Sequence, residues 1–153
     1  MRSEVATDVD AAADLVFDLA RDVSRWEHLL PHYSRSRPLD GHGGDGGILC
    51  EFVARRELVP FVGLGLPVAW RSRTWAEPAT RRLRFRHVGG ATAGMDVTWR
   101  IEPTAAGSRI LIEHDFAPRM PGWALVVDRL FVRPIAGRTL ATFKALAEAI
   151  SEA

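Results

Sequence analysis

Apolar and polar residues alternate with a period of two through most of the chain between Pro31 and Pro118. The alternation is clearest at residues 81–86, where arginine takes turns with leucine and phenylalanine. Such alternation is typical of strands that bury one face and expose the other. Glycine, proline or Ala/Thr turns separate six such segments. We predict strands at residues 33–39, 48–58, 68–76, 82–88, 95–102 and 109–116.

The N-terminal region adds a strand and two short helices. Residues 3–9 alternate and predict a seventh strand. Asp10 is expected to cap a helix that starts at Ala11. Ser24 and Glu27 have the spacing of a capping box, which predicts a second short helix that the next proline ends.

After Pro121 the apolar period returns to about 3.6 residues, which predicts a long C-terminal helix, kinked or broken near Pro134. One sheet and one amphipathic helix cover each other best when the sheet curves around the helix. We therefore predict an α+β fold: a curved, seven-stranded antiparallel sheet wrapped around a long C-terminal helix, with two short helices after strand 1. The length suits one domain over residues 1–153.

Composition excludes several classes of protein. The 153 residues are 47% hydrophobic and 25% charged, as in soluble globular proteins. The net charge of +1 gives no bulk attraction to nucleic acid, although 19 of the 20 basic residues are arginine. A single cysteine, Cys50, excludes a disulfide framework. No targeting segment and no apolar run of about 20 residues stand out, so we expect a cytoplasmic protein without a membrane span.

Strand parity separates two surfaces of the sheet. Most arginines fall on the outer face beside acids of neighbouring strands, which favours cross-strand ion pairs over a nucleic-acid patch. The inner face is apolar and aromatic, but it also carries Arg56, Ser72, Thr74, His87 and His114. These polar groups favour a ligand cavity between sheet and helix. A filled core with internally hydrogen-bonded histidines is the alternative.

Three other sequence features give weaker evidence of a functional site. Residues 41–46 match G-x-G-x-x-G but precede a strand, which favours a turn over a nucleotide site. His28 and His32 are four apart, but a proline intervenes, so we predict no metal site. The apolar segment 60–67 is expected to cover the cavity mouth, or alternatively to pack on the core.

Several motifs together resemble a known group of proteins. They include Trp-Glu-His-Leu-Leu-Pro at 26–31, Gly-Met-Asp-Val-Thr-Trp at 94–99 and Ile-Glu-His-Asp-Phe at 112–116. The chain resembles, over nearly its whole length, the START/Bet v 1-like (SRPBCC) helix-grip superfamily. Within it, the chain is similar to bacterial polyketide cyclase/dehydrase-like proteins, the aromatase/cyclases. This scaffold also hosts lipid carriers and stress proteins.

One departure from the aromatase/cyclase pattern bears on activity. Trp26, Tyr33, Trp70 and Ser72 match pocket positions of that group, including the start of its W-x-S-x-R strand. Thr74 stands where the motif has its arginine. Either the register slips there, or Arg56 and His87 supply the polar function, or the cyclase chemistry is absent.

The resemblance implies a protein that binds a hydrophobic or aromatic-polyketide-like small molecule and catalyses its cyclisation or dehydration. The alternatives are a non-catalytic carrier of a lipid or hydrophobic metabolite, and an adaptor with a solid core. Aldol cyclisation needs an acid/base group near neutral pH and donors to the enolate oxygen. His87 and His114 are the candidates for the acid/base group, because an imidazole titrates near neutral pH. Tyr33 and Arg56 are the candidates for the donors to the enolate oxygen. These four residues are the catalytic candidates. The ligand-binding candidates are Trp26, Phe52, Trp70, Ser72, Thr74, Phe85, Met95, Trp99 and Phe131.

No cofactor and no metal are expected. In the cyclase case an acyl carrier protein would present the substrate, and the chain would act as a monomer or weak homodimer.

Overall fold

The computed structural model describes residues 1–39, 47–59 and 64–153. Within these residues seven strands form one antiparallel sheet in the order β1-β7-β6-β5-β4-β3-β2. The strands are β1 (Arg2–Val9), β2 (Tyr33–Pro38), β3 (Ile48–Val59), β4 (Leu64–Glu77), β5 (Arg82–Gly90), β6 (Asp96–Pro103) and β7 (Ser108–Asp115). Strands β2 to β7 follow one another as a meander, and β1 joins the far edge beside β7.

The helices lie before and after the meander. They are α1 (Ala13–Arg21), a 3-10 turn (Val23–Arg25), α2 (Trp26–Leu29), α3 (Trp123–Val127), a π turn (Asp128–Val132) and α4 (Arg133–Glu152). The last three run on as one helical stretch of 30 residues, which the curved sheet grips. This is the predicted helix-grip fold. No helix among the described residues is long and apolar enough to cross a membrane.

The predicted helix caps were wrong. Helix α1 begins at Ala13 with Ala12 as its N-cap residue, and no side chain makes a cap hydrogen bond there. The second helical segment is capped by Asp22, whose Oδ1 accepts from the backbone N–H of Ser24 at 3.2 Å. The Glu27 carboxylate of the predicted capping box instead accepts from the backbone N–H of Ser36 on β2 at 3.4 Å.

The predicted kink at Pro134 is replaced by a π turn. In a regular helix Pro134 has no N–H for the carbonyl of Leu130, four residues earlier, and its ring crowds that carbonyl. The turn Asp128–Val132 widens the helix just before the proline. The helix then continues through Pro134, which lies in the first turn of α4. Such single π turns are frequent at functional sites.

Strands β3 and β4 extend further than the alternation predicted. The described part of the predicted lid, residues 64–67, belongs to β4, where Leu66 pairs with Arg56 and Pro67 with Arg55. Residues 60–63 of that lid, and the predicted turn at 41–46, lie outside the described residues.

Strand β5 carries a bulge beside the concave face. Arg71 pairs with Gly89 and Ser72 with His87, so Val88 is the extra residue. Bulges bend and twist a strand, and here the strand ends in a turn at Gly90. Gly90 has φ +92°, and a Cβ there would lie 2.6 Å from the carbonyl oxygen of Ala69. Only glycine fits this close approach.

The outer face confirms the predicted cross-strand ion pairs. Arg86 and Asp96 are register partners, and their side chains meet at 3.0 Å. Arg109 of β7 reaches Asp8 of β1 at 3.0 Å in the same way. Exposed pairs of this kind contribute at most about 1 kcal/mol each.

The apolar core lies between the concave face and the C-terminal helix. Trp26 is its centre, with rings of five other residues within 6.0 Å of its own. Its indole N–H donates to the carbonyl of Ala20 at 2.9 Å, which ties α2 to α1. The five surrounding rings are those of Tyr33, Phe52, Phe85, Trp99 and Phe143.

Candidate active site in the sheet–helix cavity

A cavity of about 90 Å³ lies between the concave face and the C-terminal helix. Its wall is apolar and aromatic, with two histidines, two threonines and a tyrosine as the polar members. The lining residues are Trp26, Tyr33, Phe52, Val68, Trp70, Phe85, His87, Thr92, Met95, Val97, Trp99, Ile112, His114, Phe131, Val132, Ile135, Ala136 and Thr139. The predicted cavity is therefore present, and the filled-core alternative does not hold.

One wall of the cavity is a row of parallel rings on three neighbouring strands. Phe52 and Trp70 stack at 5.5 Å with 18° between their planes. Trp70 and His87 stack at 5.8 Å with 15° between theirs. Rings favour offset stacking and edge-to-face contact, so a planar ligand can pack against this row.

His87 lies on this wall and is buried. Its Nδ1 is 2.6 Å from the hydroxyl of Thr92, in the turn that follows β5. Burial, with a small contribution from His114, lowers the pKa of His87 to about 3. The imidazole is therefore neutral at pH 7, and Thr92 fixes its orientation.

His114 is the second imidazole of the wall, on β7. It lies two strand spacings from His87, about 10 Å across the sheet. Burial lowers the pKa of His114 to about 4, although the carboxylate of Asp128 opposes this shift. Nδ1 of His114 is buried and has no hydrogen-bond partner among the described residues.

Asp128 stands at the start of the π turn and is only 6% exposed. Burial works against its charge, but the Ser3 hydroxyl and the Arg133 guanidinium outweigh burial and keep the pKa of Asp128 below its usual value. Arg133 Nε lies 2.9 Å from its Oδ2. A carboxylate that is already paired with an arginine therefore lies near His114, although Asp128 itself does not line the cavity.

The opposite end of the cavity is formed by Tyr33 and Thr139. Tyr33 is 6% exposed, and burial raises the pKa of its hydroxyl above the ordinary value, so it stays protonated. Thr139 projects from α4 and donates to the carbonyl of Ile135 at 2.8 Å. The hydroxyl of Thr139 opposes part of this rise in the pKa of Tyr33.

Arg56 lies at the rim of the cavity and does not line it. Its Nε donates to the carbonyl of Leu130 at 3.0 Å. In a regular helix this carbonyl would accept a hydrogen bond from residue 134, but Pro134 has no N–H to donate. Parity put Arg56 on the inner face, but β3 ends near this residue and the long side chain reaches the helix. Arg56 thus fastens the sheet to the π turn.

Replacing Arg56 with methionine is expected to loosen the π turn. The loss of this hydrogen bond to a helix carbonyl should cost about 1 kcal/mol. Amide hydrogen exchange in residues 128–136 should then quicken about fivefold. Arg55→Met, on the outer face of the same strand, is the matched control and should leave this segment unchanged. Equal exchange in both variants would contradict the fastening role.

The sequence located most of the cavity lining. Ten predicted site residues line it: Trp26, Tyr33, Phe52, Trp70, Phe85, His87, Met95, Trp99, His114 and Phe131. Ser72 and Thr74 do not, although both are buried. The hydroxyl of Ser72 donates to the carbonyl of Arg73 at 3.2 Å, and that of Thr74 to the carbonyl of Ile48 at 3.1 Å. Parity gave their face correctly, but their hydrogens are used within the sheet.

Sequence reasoning missed two polar lining residues, Thr92 and Thr139. Thr92 lies in a turn, where strand parity says nothing. Thr139 occurs four residues before Phe143 on the apolar stripe of the helix, and this spacing was the available signal.

A second, larger hollow of about 430 Å³ lies along β1, β6 and β7. Its walls carry the charged side chains of Arg2, Glu4, Asp96, Arg100, Glu113 and Asp115. Arg2 pairs with Asp115 and Arg100 with Glu113, so these charges are largely matched within the wall. It does not suit a hydrophobic ligand. The described residues also hold no cluster of three or more metal-ligating side chains.

The sequence matches the model of a family described as polyketide cyclase / dehydrase and lipid transport, over residues 1–148. The chain belongs to this family. No curated protein matches its sequence.

Solved structures of family-like proteins share the fold. The Zhui aromatase/cyclase of a Streptomyces species is 21% identical, with TM-score 0.77, over 97% of this chain and 93% of that one. The di-domain aromatase/cyclase BexL is 26% identical, with TM-score 0.74, over 100% of this chain and 48% of that one. A START superfamily protein of Mycobacterium smegmatis is 15% identical, with TM-score 0.67, over 99% and 97%.

Proposed function

We propose that this polyketide cyclase-family protein, as one domain over residues 1–153, binds an aromatic-polyketide-like molecule in the sheet–helix cavity and catalyses its cyclisation and dehydration. The observation that carries the proposal is the wall itself. It is aromatic and apolar, and it holds two neutral imidazoles, His87 and His114. Ligand pockets combine an apolar lining with a few convergent polar groups in this way.

The chemistry follows from the state of the imidazoles. An aldol cyclisation removes a proton from carbon between two carbonyls, places negative charge on an oxygen, and later expels water. A neutral imidazole in an apolar cavity donates a hydrogen bond to such an oxygen without carrying charge itself. The proton taken from the carbon passes to the neutral imidazole of one histidine and from it to the hydroxyl that leaves as water. With pKa values of about 3 and 4 both imidazoles are weak bases, so they pass this proton on and do not hold it.

The cavity must widen before a long ligand can enter it. Pockets for drug-sized ligands have about 300–1,000 Å³, whereas this cavity has about 90 Å³. It accepts a ring but not a folded polyketide chain. We infer that the helix moves outward at the π turn, where Arg56 fastens it to the sheet, when a longer ligand enters.

We place an acyl carrier protein as the donor of the substrate beside this turn. Leu125 and Leu130 are half-exposed there, and Arg119 and Arg129 are exposed. An acidic carrier domain would find both charge and apolar surface at this place.

Non-catalytic carriage of a hydrophobic metabolite is the second candidate. Two observations favour it: the weak basicity of the buried histidines and the threonine at position 74. The family description itself covers lipid transport.

Replacing His114 separates the two candidates. In a cyclase, His114→Phe should lower turnover of a thioester-linked poly-β-ketone by about 10²-fold or more, while affinity for the aromatic product changes only a few-fold. His28→Gln, on the surface, is the control and should be unaffected. Binding without turnover by the unaltered protein would favour the carrier, and absence of binding would overturn both.

A further inference from the structure

Thr92 and His87 are hydrogen-bonded to each other in the wall of the cavity. Both side chains are buried and line the cavity, and the Thr92 hydroxyl oxygen lies 2.6 Å from Nδ1 of His87. The turn after β5 brings them together. The backbone N–H of His87 donates to the carbonyl of Met95 at 2.9 Å, and that of Met95 donates to the carbonyl of Thr92 at 3.0 Å. The function proposed above uses the His87 ring but gives Thr92 no part in the chemistry.

The hydrogen of the Thr92 hydroxyl group decides which nitrogen of His87 is protonated. The neutral ring carries one hydrogen, and Thr92 Oγ1 makes no other hydrogen bond within the described residues. If the ring hydrogen were on Nδ1, the hydroxyl hydrogen of Thr92 would be buried without an acceptor, which is costly. If Nδ1 is bare, it accepts from Thr92 and the ring hydrogen lies on Nε2. The second arrangement is therefore favoured.

Nε2 of His87 opens on the cavity. Within the described residues, the fully enclosed side-chain atoms that lack a hydrogen-bond partner are Ser3 Oγ, His32 Nδ1, His114 Nδ1 and Asp128 Oδ1. Nε2 of His87 has no partner there either, but it is not one of these enclosed atoms. Because the side chain is only 9% exposed and lines the cavity, the open side of Nε2 faces the cavity. An N–H group of His87 is thus available to a ligand.

We propose that Thr92 fixes His87 as a hydrogen-bond donor, so that this part of the cavity selects ligands with a ketone or enolate oxygen. The proposal rests on the ligand-binding function above and names the chemistry of its ligand. An oxygen lone pair satisfies the N–H of His87, whereas an apolar group of the same shape leaves it unpaired. Thr92 is a positioning residue, since its hydroxyl acts through His87.

The same arrangement divides the work between the two imidazoles. A nitrogen that already carries a hydrogen takes up no proton, so Nε2 of His87 stabilises the oxygen of the enolate. The imidazole that passes the proton of the cyclisation is then that of His114.

Nitrogen NMR of a sample with 15N-labelled histidine tests the tautomer. The bare and the protonated nitrogen of a neutral imidazole have well-separated 15N shifts, and loss of signals in His87→Gln identifies those of His87. The unaltered protein at pH 7 should carry the hydrogen on Nε2. Thr92→Val removes the hydroxyl and should give a mixture of both tautomers, whereas Thr92→Ser keeps the hydroxyl and should keep the Nε2–H form. A hydrogen on Nδ1 in the unaltered protein would overturn the proposal without any variant.

A matched ligand pair tests the selectivity. Titration calorimetry would compare acetophenone with isopropenylbenzene, in which a CH2 group replaces the carbonyl oxygen. The apolar member gains more from burial in every variant, so the ratio of the two affinities is compared between variants. Relative to the unaltered protein, His87→Phe should shift this ratio about fivefold against acetophenone, and Thr92→Val about twofold. Thr92→Ser is the matched control and should keep the ratio.

The possible outcomes separate this proposal from the function on which it rests. An unchanged ratio in a His87→Phe protein that still binds isopropenylbenzene would overturn the donor role of His87. A single Nε2–H tautomer surviving in Thr92→Val would overturn the positioning role of Thr92. No binding of either probe by the unaltered protein would overturn the ligand-binding function itself.

Discussion

Lowering the pH from 6.5 to 4.5 is expected to remove a large part of the protein's free energy of unfolding. His32, His87 and His114 are buried and neutral, and burial lowers their pKa values to about 4, 3 and 4. In the unfolded chain each titrates near 6.5. Between these limits the unfolded state binds up to three more protons. The stability is therefore complete above pH 6.5 and is lost as the pH falls towards the folded-state values.

The expected loss is large for a chain of this size. Three protons correspond to a slope of up to about 4 kcal/mol per pH unit. Total stabilities of single domains are about 5–15 kcal/mol. Urea unfolding measured at half-unit intervals from pH 7 to 4.5 gives the slope directly.

Single substitutions show which residues cause the change of the free energy of unfolding with pH. Removing one buried titrating group, as in His114→Gln, should lower the slope by about a third. His28→Gln is the matched control, because the His28 side chain is 77% exposed and should leave the slope unchanged. A free energy of unfolding independent of pH across this range would show that these imidazoles are not buried as described.

Trp26→Ala is expected to cost about 3–5 kcal/mol of stability. Trp26 is 3% exposed and lies among five other rings, and its indole N–H serves the buried carbonyl of Ala20. Truncation leaves a void next to the existing cavity, because the surrounding strands and helix cannot both close on it. For a domain of this length each kcal/mol lowers Tm by about 2–4 °C, so Tm should fall by about 10 °C.

Trp75→Ala is the matched control for Trp26. Trp75 lies on the outer face, where the Arg84 guanidinium covers its ring at 5.3 Å. Removal of the Trp75 side chain should lower the free energy of unfolding by clearly less than Trp26→Ala does. Similar losses for both variants, measured by calorimetry, would contradict the central place of Trp26 in the core.

Alternation predicted the sheet because parity is a local property of the chain. It assigned Phe52, Trp70, Phe85 and His87 to one concave wall, and these four residues line the cavity. The C-terminal helix was predicted on the same grounds, from a period of 3.6. The way these parts fit together followed from the need of sheet and helix to cover each other, and it agrees with the family resemblance that the match over residues 1–148 confirms.

Tertiary choices could not be predicted from such patterns. Strand parity predicts which face of the sheet a residue lies on, but it does not show whether its hydroxyl already has a hydrogen-bond partner. For this reason Ser72 and Thr74 were expected in the cavity. Local spacing made Asp10 a cap, but helix α1 begins two residues later than predicted and Asp10 makes no cap hydrogen bond. The π turn before Pro134 and the bulge at Val88 depend on how neighbouring elements pack, and neither has a signature in sequence periodicity.

The most direct test of the central claim is where an aromatic ligand binds. Isoleucine methyl groups in a 13C-labelled sample would be followed by NMR during titration with 2-naphthol. Ile112 and Ile135 line the cavity, whereas Ile48 and Ile150 are exposed and lie outside its lining. Ring-current shifts at Ile112 and Ile135, with Ile48 and Ile150 unmoved, are the predicted result. Shifts confined to the exposed pair, or no shifts at saturating ligand, would contradict a ligand-binding cavity between sheet and helix.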